Sequence, residues 1–190
     1  QFGGIFDLAK VGADGQHLVS SIDGVGTKVA GAQAVGDLTT VGADLVNHCI
    51  NDILVQGARP LFFLDYIAVA QLVPEQVSQV IAGVAAACRD NQCALLGGET
   101  AEMPGVYRDG ALDIAGVIVG AVARERILDG SDIRVGDQLV ALGSSGLHTN
   151  GYSLARHVVE QLGVQLDAQP TELGGASVGE ALLAVHKCYY

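Results

Sequence analysis

Apolar and polar positions change their period along this chain, and the changes predict its elements. His17-Leu18-Val19-Ser20-Ser21-Ile22 is a short β-favouring run followed at once by the turn-forming stretch DGVGTK, so a strand leading into a glycine loop is expected. From Thr40 to Gln56, Val41, Leu45, Cys49, Ile50, Ile53 and Leu54 fall on one helical side, while Asp44, His48, Asn51 and Asp52 recur on the other. That pattern predicts an amphipathic helix stopped by Gly57. The run from Leu61 to Ala70 is too continuously apolar for a half-exposed strand and predicts one covered on both faces. Pro74 opens a helix to about Asn91, and Cys93–Leu96 returns as a strand into a loop, GGETAEMPG. Leu112 to Val122 is apolar on both sides and predicts a central strand.

The stretch from Ala123 to Gly136 is the most polar of the chain, with Arg124, Glu125, Arg126, Asp129, Asp132 and Arg134, and a domain boundary is placed there. Residues 1–125 then form one domain and 135–190 the beginning of another. In the second, Asp137–Gly143 is read as a strand, SSGLHTNGYS as a loop with Thr149 or Asn150 as helix cap, and Ser153–Leu162 as a helix. The closing residues Val185 to Tyr190 read as a strand cut short. The expected fold class is α+β.

Composition narrows the partners. A net charge of -11, with Lys10, Lys28 and Lys187 the lysines present, leaves little to neutralise a nucleic-acid backbone. An acidic protein still binds polyphosphate where carboxylates hold divalent metal ions, which makes Mg²⁺ the cofactor to look for. No apolar run reaches membrane-spanning length, so no membrane partner and a cytoplasmic location are expected. Cys49, Cys88, Cys93 and Cys188 sit in apolar patterns without metal-site spacing and read as reduced core residues.

Three carboxylates follow apolar elements: Asp23 in DGVGTK, Asp52 beside Asn51, and Glu99 in GGET. Such a set suits a Mg²⁺-polyphosphate site, since Mg²⁺ takes oxygen ligands and only one or two carboxylates per ion. Gly24, Gly97 and Gly98 would let the backbone approach phosphates, and Lys28 would offset their charge. Each feature has an ordinary counterpart. A DG or GG beside a strand is usually a turn, Asp52 with His48 is usually a solvated helix face, and SSGLHTNG serves equally as a plain capped helix start. Asp65 inside an apolar strand must be paired or protonated, although a buried structural hydrogen bond would serve as well, and His148 has the chemistry of a general acid or base. Neither a P-loop nor a dinucleotide fingerprint is present.

The stretches FGGIFDL, DGVGTK, GADLVNHCINDILVQGARPLFFLDY, CALLGGETAEMPGVY and GSSGLHTNGYSLAR together resemble the phosphoribosylformylglycinamidine cyclo-ligase (aminoimidazole ribonucleotide synthetase) family of purine biosynthesis, over nearly the whole chain. The resemblance implies a homodimer whose mixed sheets, flanked by helices, pair into a shared barrel, with an α/β C-terminal domain closing over the substrate. It implies ATP-dependent ring closure of formylglycinamidine ribonucleotide to aminoimidazole ribonucleotide, with ADP and phosphate released. Carried over residue by residue, Asp23, Asp52 and Glu99 would bind Mg²⁺-ATP, and Gly24, Thr27, Lys28, Gly97, Gly98 and Thr100 would lie by the phosphates. Asn51 and Asp65 would support them, and Ser144, Ser145, His148 and Asn150 would face nucleotide or substrate, with Asp23, Lys28 and His148 nearest the chemistry. The chain would lack the N-terminal basic loop and most of the C-terminal domain of its parent. Two other readings compete: a thiamine-monophosphate kinase or selenophosphate synthetase of the same superfamily, and a non-catalytic dimerisation fragment.

Overall fold

The computed structural model describes residues 4–7 and 15–190; Lys10 and the opening glutamine lie outside them. Five strands form one sheet in the order β1-β2-β5-β3-β4, with β1 Gly4–Asp7, β2 Gln16–Gly24, β3 Arg59–Val69, β4 Ala94–Glu102 and β5 Leu112–Ala123. All neighbours are antiparallel except β3 and β4, which are parallel because α3 (Pro74–Asp90) crosses between them. The sheet is therefore mixed, and with its helices the fold is α+β. As its pattern predicts, β5 is central, between β2 and β3.

One face of the sheet carries the core. α2 (Thr39–Leu54) lies over β2, β5 and β3, and α3 packs on α2 and β4. Their buried stripes, Val41, Leu45, Cys49 and Ile53 on α2 and Val80, Val84 and Ala87 on α3, meet Phe63, Ile67, Ile114 and Ile118 from the strands. The helices approach to backbone contact. A Cβ added at Gly83 would sit 2.0 Å from the Thr39 carbonyl oxygen, and one at Gly42 would sit 2.1 Å from that of Val80.

The other face is open among the described residues of the single chain. Along β3, Phe63, Asp65 and Ile67 turn toward the helices while Leu64 and Tyr66 are exposed. The register aligns Ile22, Val117 and Leu64 in one row of that open face, with Ile22 70% exposed. Continuous hydrophobicity thus predicted cover on both faces of β3, and the described residues of the single chain supply it on one. All four cysteines are free thiols, three of them buried. Burial pushes the Cys49 thiol up to about 12.

Three local expectations change. GGETAE is strand rather than loop, because β4 continues beside β3 through a register shift that lets Gly97 take φ 152°. Asp137–Gly143 forms no strand: Val140 is 86% exposed, and no neighbouring strand among the described residues takes up its backbone groups. The closing residues 185–190 likewise form no strand. Helix α1 (Lys28–Val35) follows DGVGTK directly, α4 spans Tyr152–Leu162 and a short α5 spans Val178–Leu182. No helix among the described residues is long and apolar enough to cross a membrane.

Candidate metal and nucleotide site

Strand β2 ends at Asp23 and Gly24 just where the polar side of α2 passes over it. The apolar stripe of α2 faces the sheet, so His48 and Asp52, one turn apart, come down at its margin beside Asp23. His48 Nε2 lies 3.1 Å from Asp23 Oδ2 and 4.0 Å from Asp52 Oδ1. Asp23, His48 and Asp52 each offer a donor atom, all within 4.8 Å of one another. Ser21 donates to Asp52 Oδ2 at 2.8 Å, and the Gly24 N–H donates to Asp23 Oδ1 at 2.7 Å, which fixes both carboxylates. Asp23 stays 46% exposed, so a hydrated ion can reach it from solvent. Two anchored carboxylates with an open side fit the limited protein ligation that Mg²⁺ takes.

Glu99 does not join them within one chain. Asp23, Gly116, Asp65 and Gly98 form one row across β2, β5, β3 and β4, so Glu99 lies three strand spacings from Asp23, about 14 Å. Its side chain also belongs to the opposite, open face, since it pairs with Tyr66. Within one chain the structure thus brings together Asp23 and Asp52, with His48 beside them, and places Glu99 apart from them. Thr100, exposed on β4, lies with Glu99 on that distant strand. Asp65 is in the same row as Asp23 but two strands away, facing α3; burial pushes its carboxyl up. A Cβ at Gly98 would sit 2.6 Å from the Asp65 carboxylate, so that glycine makes room for Asp65.

Lys28 requires a correction. It is fully buried and pairs with the equally buried Asp44 at 2.7 Å. It also donates to the carbonyl oxygens of His148 and Ala184, each at 2.9 Å. Two hydrogen bonds and a close ion pair hold the buried ammonium group, away from any phosphate in solvent. Burial lowers the Lys28 pKa and raises that of Asp44, each opposed by attraction to the other. Helical periodicity had placed Asp44 on the solvated side, and its buried role went unread. A signal was present: Lys28 is a rare lysine, and Asp44 leads the row His48, Asn51, Asp52.

Residues 144–190 return to this edge of α2. His148 adopts a left-handed backbone (φ 59°), which turns its carbonyl to Lys28. Its ring stacks on His186 at 4.1 Å, and Ser144 Oγ lies 3.0 Å from its Nε2. Burial, then the Lys28 charge, lowers the pKa of His148. Burial also holds His186 down to about 3. Asn51 accepts from the Tyr189 N–H at 2.9 Å and donates to the Lys187 carbonyl at 2.8 Å. Ser145 donates to the Val185 carbonyl at 2.6 Å, Thr27 meets Ser153 at 3.1 Å, and Asn150 is exposed. Thr149 is not a helix cap. Gly151 occupies that position with φ 84°, and the Thr149 hydroxyl instead lies between His48 and His186. His186 was missed because nothing in its local sequence marks it as polar core.

A family model described as AIR synthase related protein, N-terminal domain, matches residues 4–122. The chain belongs to this family. Phosphoribosylformylglycinamidine cyclo-ligases of Trichlorobacter lovleyi and Rippkaea orientalis are each 50% identical to it, over 99% of this chain and 54% of their own length. The chain thus spans about half the length of the curated relatives it matches. Among solved structures, AaThiL complexed with AMPPCP and TMP aligns over 99% of this chain and 54% of its own, at 18% identity and a TM-score of 0.62. A thiamine-monophosphate kinase from Stenotrophomonas maltophilia K279a aligns over 90% of this chain and 50% of its own, at 19% identity and a TM-score of 0.60. At such identity these two establish the family fold alone.

Proposed function

We propose that the chain is the Mg²⁺-ATP-holding part of a phosphoribosylformylglycinamidine cyclo-ligase of de novo purine biosynthesis. The observation that carries this reading is 50% identity to two such cyclo-ligases along 99% of the chain. The paired Asp23 and Asp52 carboxylates support it, as does the same fold in AaThiL complexed with the ATP analogue AMPPCP. The substrate is formylglycinamidine ribonucleotide, and the enzyme is a cytoplasmic homodimer. The exposed row of Ile22 and Leu64 is the surface through which two sheets would pair into a barrel. Residues 1–125 form the ATP-binding and dimerisation domain, and 135–190 begin an α/β domain.

The reaction transfers the terminal phosphoryl group of ATP to the formyl oxygen of the substrate. A substrate nitrogen then attacks that carbon, the ring closes and phosphate leaves with the former formyl oxygen, giving aminoimidazole ribonucleotide. Bound Mg²⁺ would screen the phosphates and orient them for transfer. Asp23 and Asp52 hold the ion side of the site. Ser144 and His148 would face the acceptor, with the imidazole, its pKa lowered by burial, as the group to take a proton from the substrate nitrogen. ADP release and imidazole formation, followed with the full-length parent and Mg²⁺-ATP, test the reading. It holds if both appear together only when formylglycinamidine ribonucleotide is present. It fails if ADP is released with thiamine monophosphate or selenide instead. Asp52→Asn should weaken Mg²⁺-dependent nucleotide binding at least tenfold, whereas a purely structural carboxylate would leave it unchanged.

A further inference from the structure

His48 lies between the two carboxylates, and its role depends on which ring nitrogen carries the proton. The surrounding hydrogen bonds answer this from one unambiguous end. The Tyr189 backbone N–H can only donate and the Lys187 carbonyl can only accept, so together they fix the Asn51 amide with Oδ1 toward the first and Nδ2 toward the second. Asn51 Nδ2 also lies 3.1 Å from His186 Nε2 and can only donate to it. His186 Nε2 is therefore the bare nitrogen of that ring, and its proton is on Nδ1.

From Nδ1 that proton points at Thr149 Oγ1, 3.2 Å away. Having accepted there, the Thr149 hydroxyl directs its own proton to its other neighbour, His48 Nδ1, at 2.9 Å. His48 Nδ1 is then the acceptor, and the His48 proton resides on Nε2, aimed at Asp23 Oδ2 at 3.1 Å. Each step leaves one choice for the next. The order requires a neutral His186, and the burial that holds this ring down to about 3 keeps it neutral at physiological pH.

We infer that His48 is a positioning residue for the Asp23 carboxylate and not a metal ligand, its Nε2–H tautomer dictated from the backbone at Lys187 and Tyr189 through Asn51, His186 and Thr149. Nε2 is the ring nitrogen that faces the carboxylates, and with a proton on it no lone pair is offered to an ion. Through this chain the placement of Asp23 depends on the docking of Thr149 and His186 against α2. Segments distant in sequence thereby set the geometry of one carboxylate. The ligand side of this inference rests on the metal reading above; the order of hydrogen bonds does not.

The test begins with the metal-free chain carrying ¹⁵N-labelled histidine, in which long-range proton–nitrogen correlations assign the tautomer of each ring. His48 should be protonated at Nε2 and His186 at Nδ1. Thr149→Val should release His48 to a mixture of tautomers, while Thr149→Ser, which keeps the hydroxyl, should preserve the wild-type pattern. An Nδ1–H tautomer at wild-type His48, or no response to Thr149→Val, would overturn the inference. The second arm adds Mn²⁺ as the probe. Its pulsed electron paramagnetic resonance spectrum should lack coupling to a histidine nitrogen, and His48→Leu should weaken Mn²⁺ binding about tenfold, as loss of an outer-sphere partner does. His48→Gln, whose amide can donate to Asp23, should restore most of that binding. A histidine coupling that disappears in His48→Gln would show ligation and refute the inference. Absence of Mn²⁺ binding in wild type would sink the metal reading, and the ring shifts would then decide the order by themselves.

Discussion

Replacing Lys28 by methionine separates a structural role from a phosphate-binding one. The ammonium group contacts Asp44 at 2.7 Å and two carbonyls at 2.9 Å, and neither Lys28 nor Asp44 has any exposed side-chain surface. Methionine fills similar volume but removes all three interactions. Asp44 keeps the His186 N–H on one oxygen at 2.7 Å and loses its counter-charge. Breaking a buried pair from one side costs about 3–5 kcal/mol, a large part of the roughly 5–15 kcal/mol that stabilises a typical domain. The double variant Lys28→Met, Asp44→Leu removes both charges and should recover about 2 kcal/mol or more of that loss. Because the chain has no tryptophan, urea unfolding followed by far-UV circular dichroism is the appropriate assay. A Lys28→Met chain within about 1 kcal/mol of wild type would refute the reasoning. So would a double variant whose loss is the sum of the two single losses. If instead the variant is stable but binds nucleotide poorly, Lys28 belongs to the phosphates after all.

Three further outcomes are expected. Gly83→Ala drives a methyl group toward the Thr39 carbonyl and should destabilise by about 1–3 kcal/mol or more, with Gly31→Ala, where nothing lies within 4 Å, as the tolerated control in urea unfolding. His186 is neutral in the fold down to about 3 but has an ordinary pKa of 6.5 when unfolded, so its contribution is complete above pH 6.5 and is lost as pH falls toward 3. By pH 5 that amounts to about 2 kcal/mol, read as a falling urea midpoint that flattens in His186→Asn; equal midpoints at pH 7 and 5 would contradict it. Gly98→Ala brings a Cβ within 2.3 Å of the Asp65 carbonyl and should lower the thermal midpoint by several degrees, with no change if β4 can move aside.

The sequence made the frame of the fold legible where periodicity is strong. α2, α3 and α4, and β2, β3 and β5, lie within a few residues of their expected bounds, because each carries its own apolar stripe or run. Asp137–Gly143 failed because a strand needs a neighbour as well as a pattern, and none adjoins it among the described residues. At the site, Asp23 and Asp52 were found from loop and helix position, and the structure brings them together. That Glu99 lies apart from them within one chain could not be read, because alternation along a strand reveals faces only when the register is known, and one residue decides the side. Lys28 and Asp44 illustrate the opposite limit. Charge in a sequence suggests solvent, and only the return of residues 148 and 184 over α1 and α2 shows this pair sealed from it.

The glycine contact between α2 and α3 bears on motion. Where two helices touch through side chains, rotamer changes let one slip against the other; where Gly42 and Gly83 bring backbone against backbone, there is no such compliance. Such a contact should make the two helices move as a single plate. His48 and Asp52 ride on that plate, whereas Asp23 is fixed to the end of a strand. The separation of the two carboxylates therefore gauges how the plate is seated on the sheet, and a ligand that draws them together would tilt two helices at once.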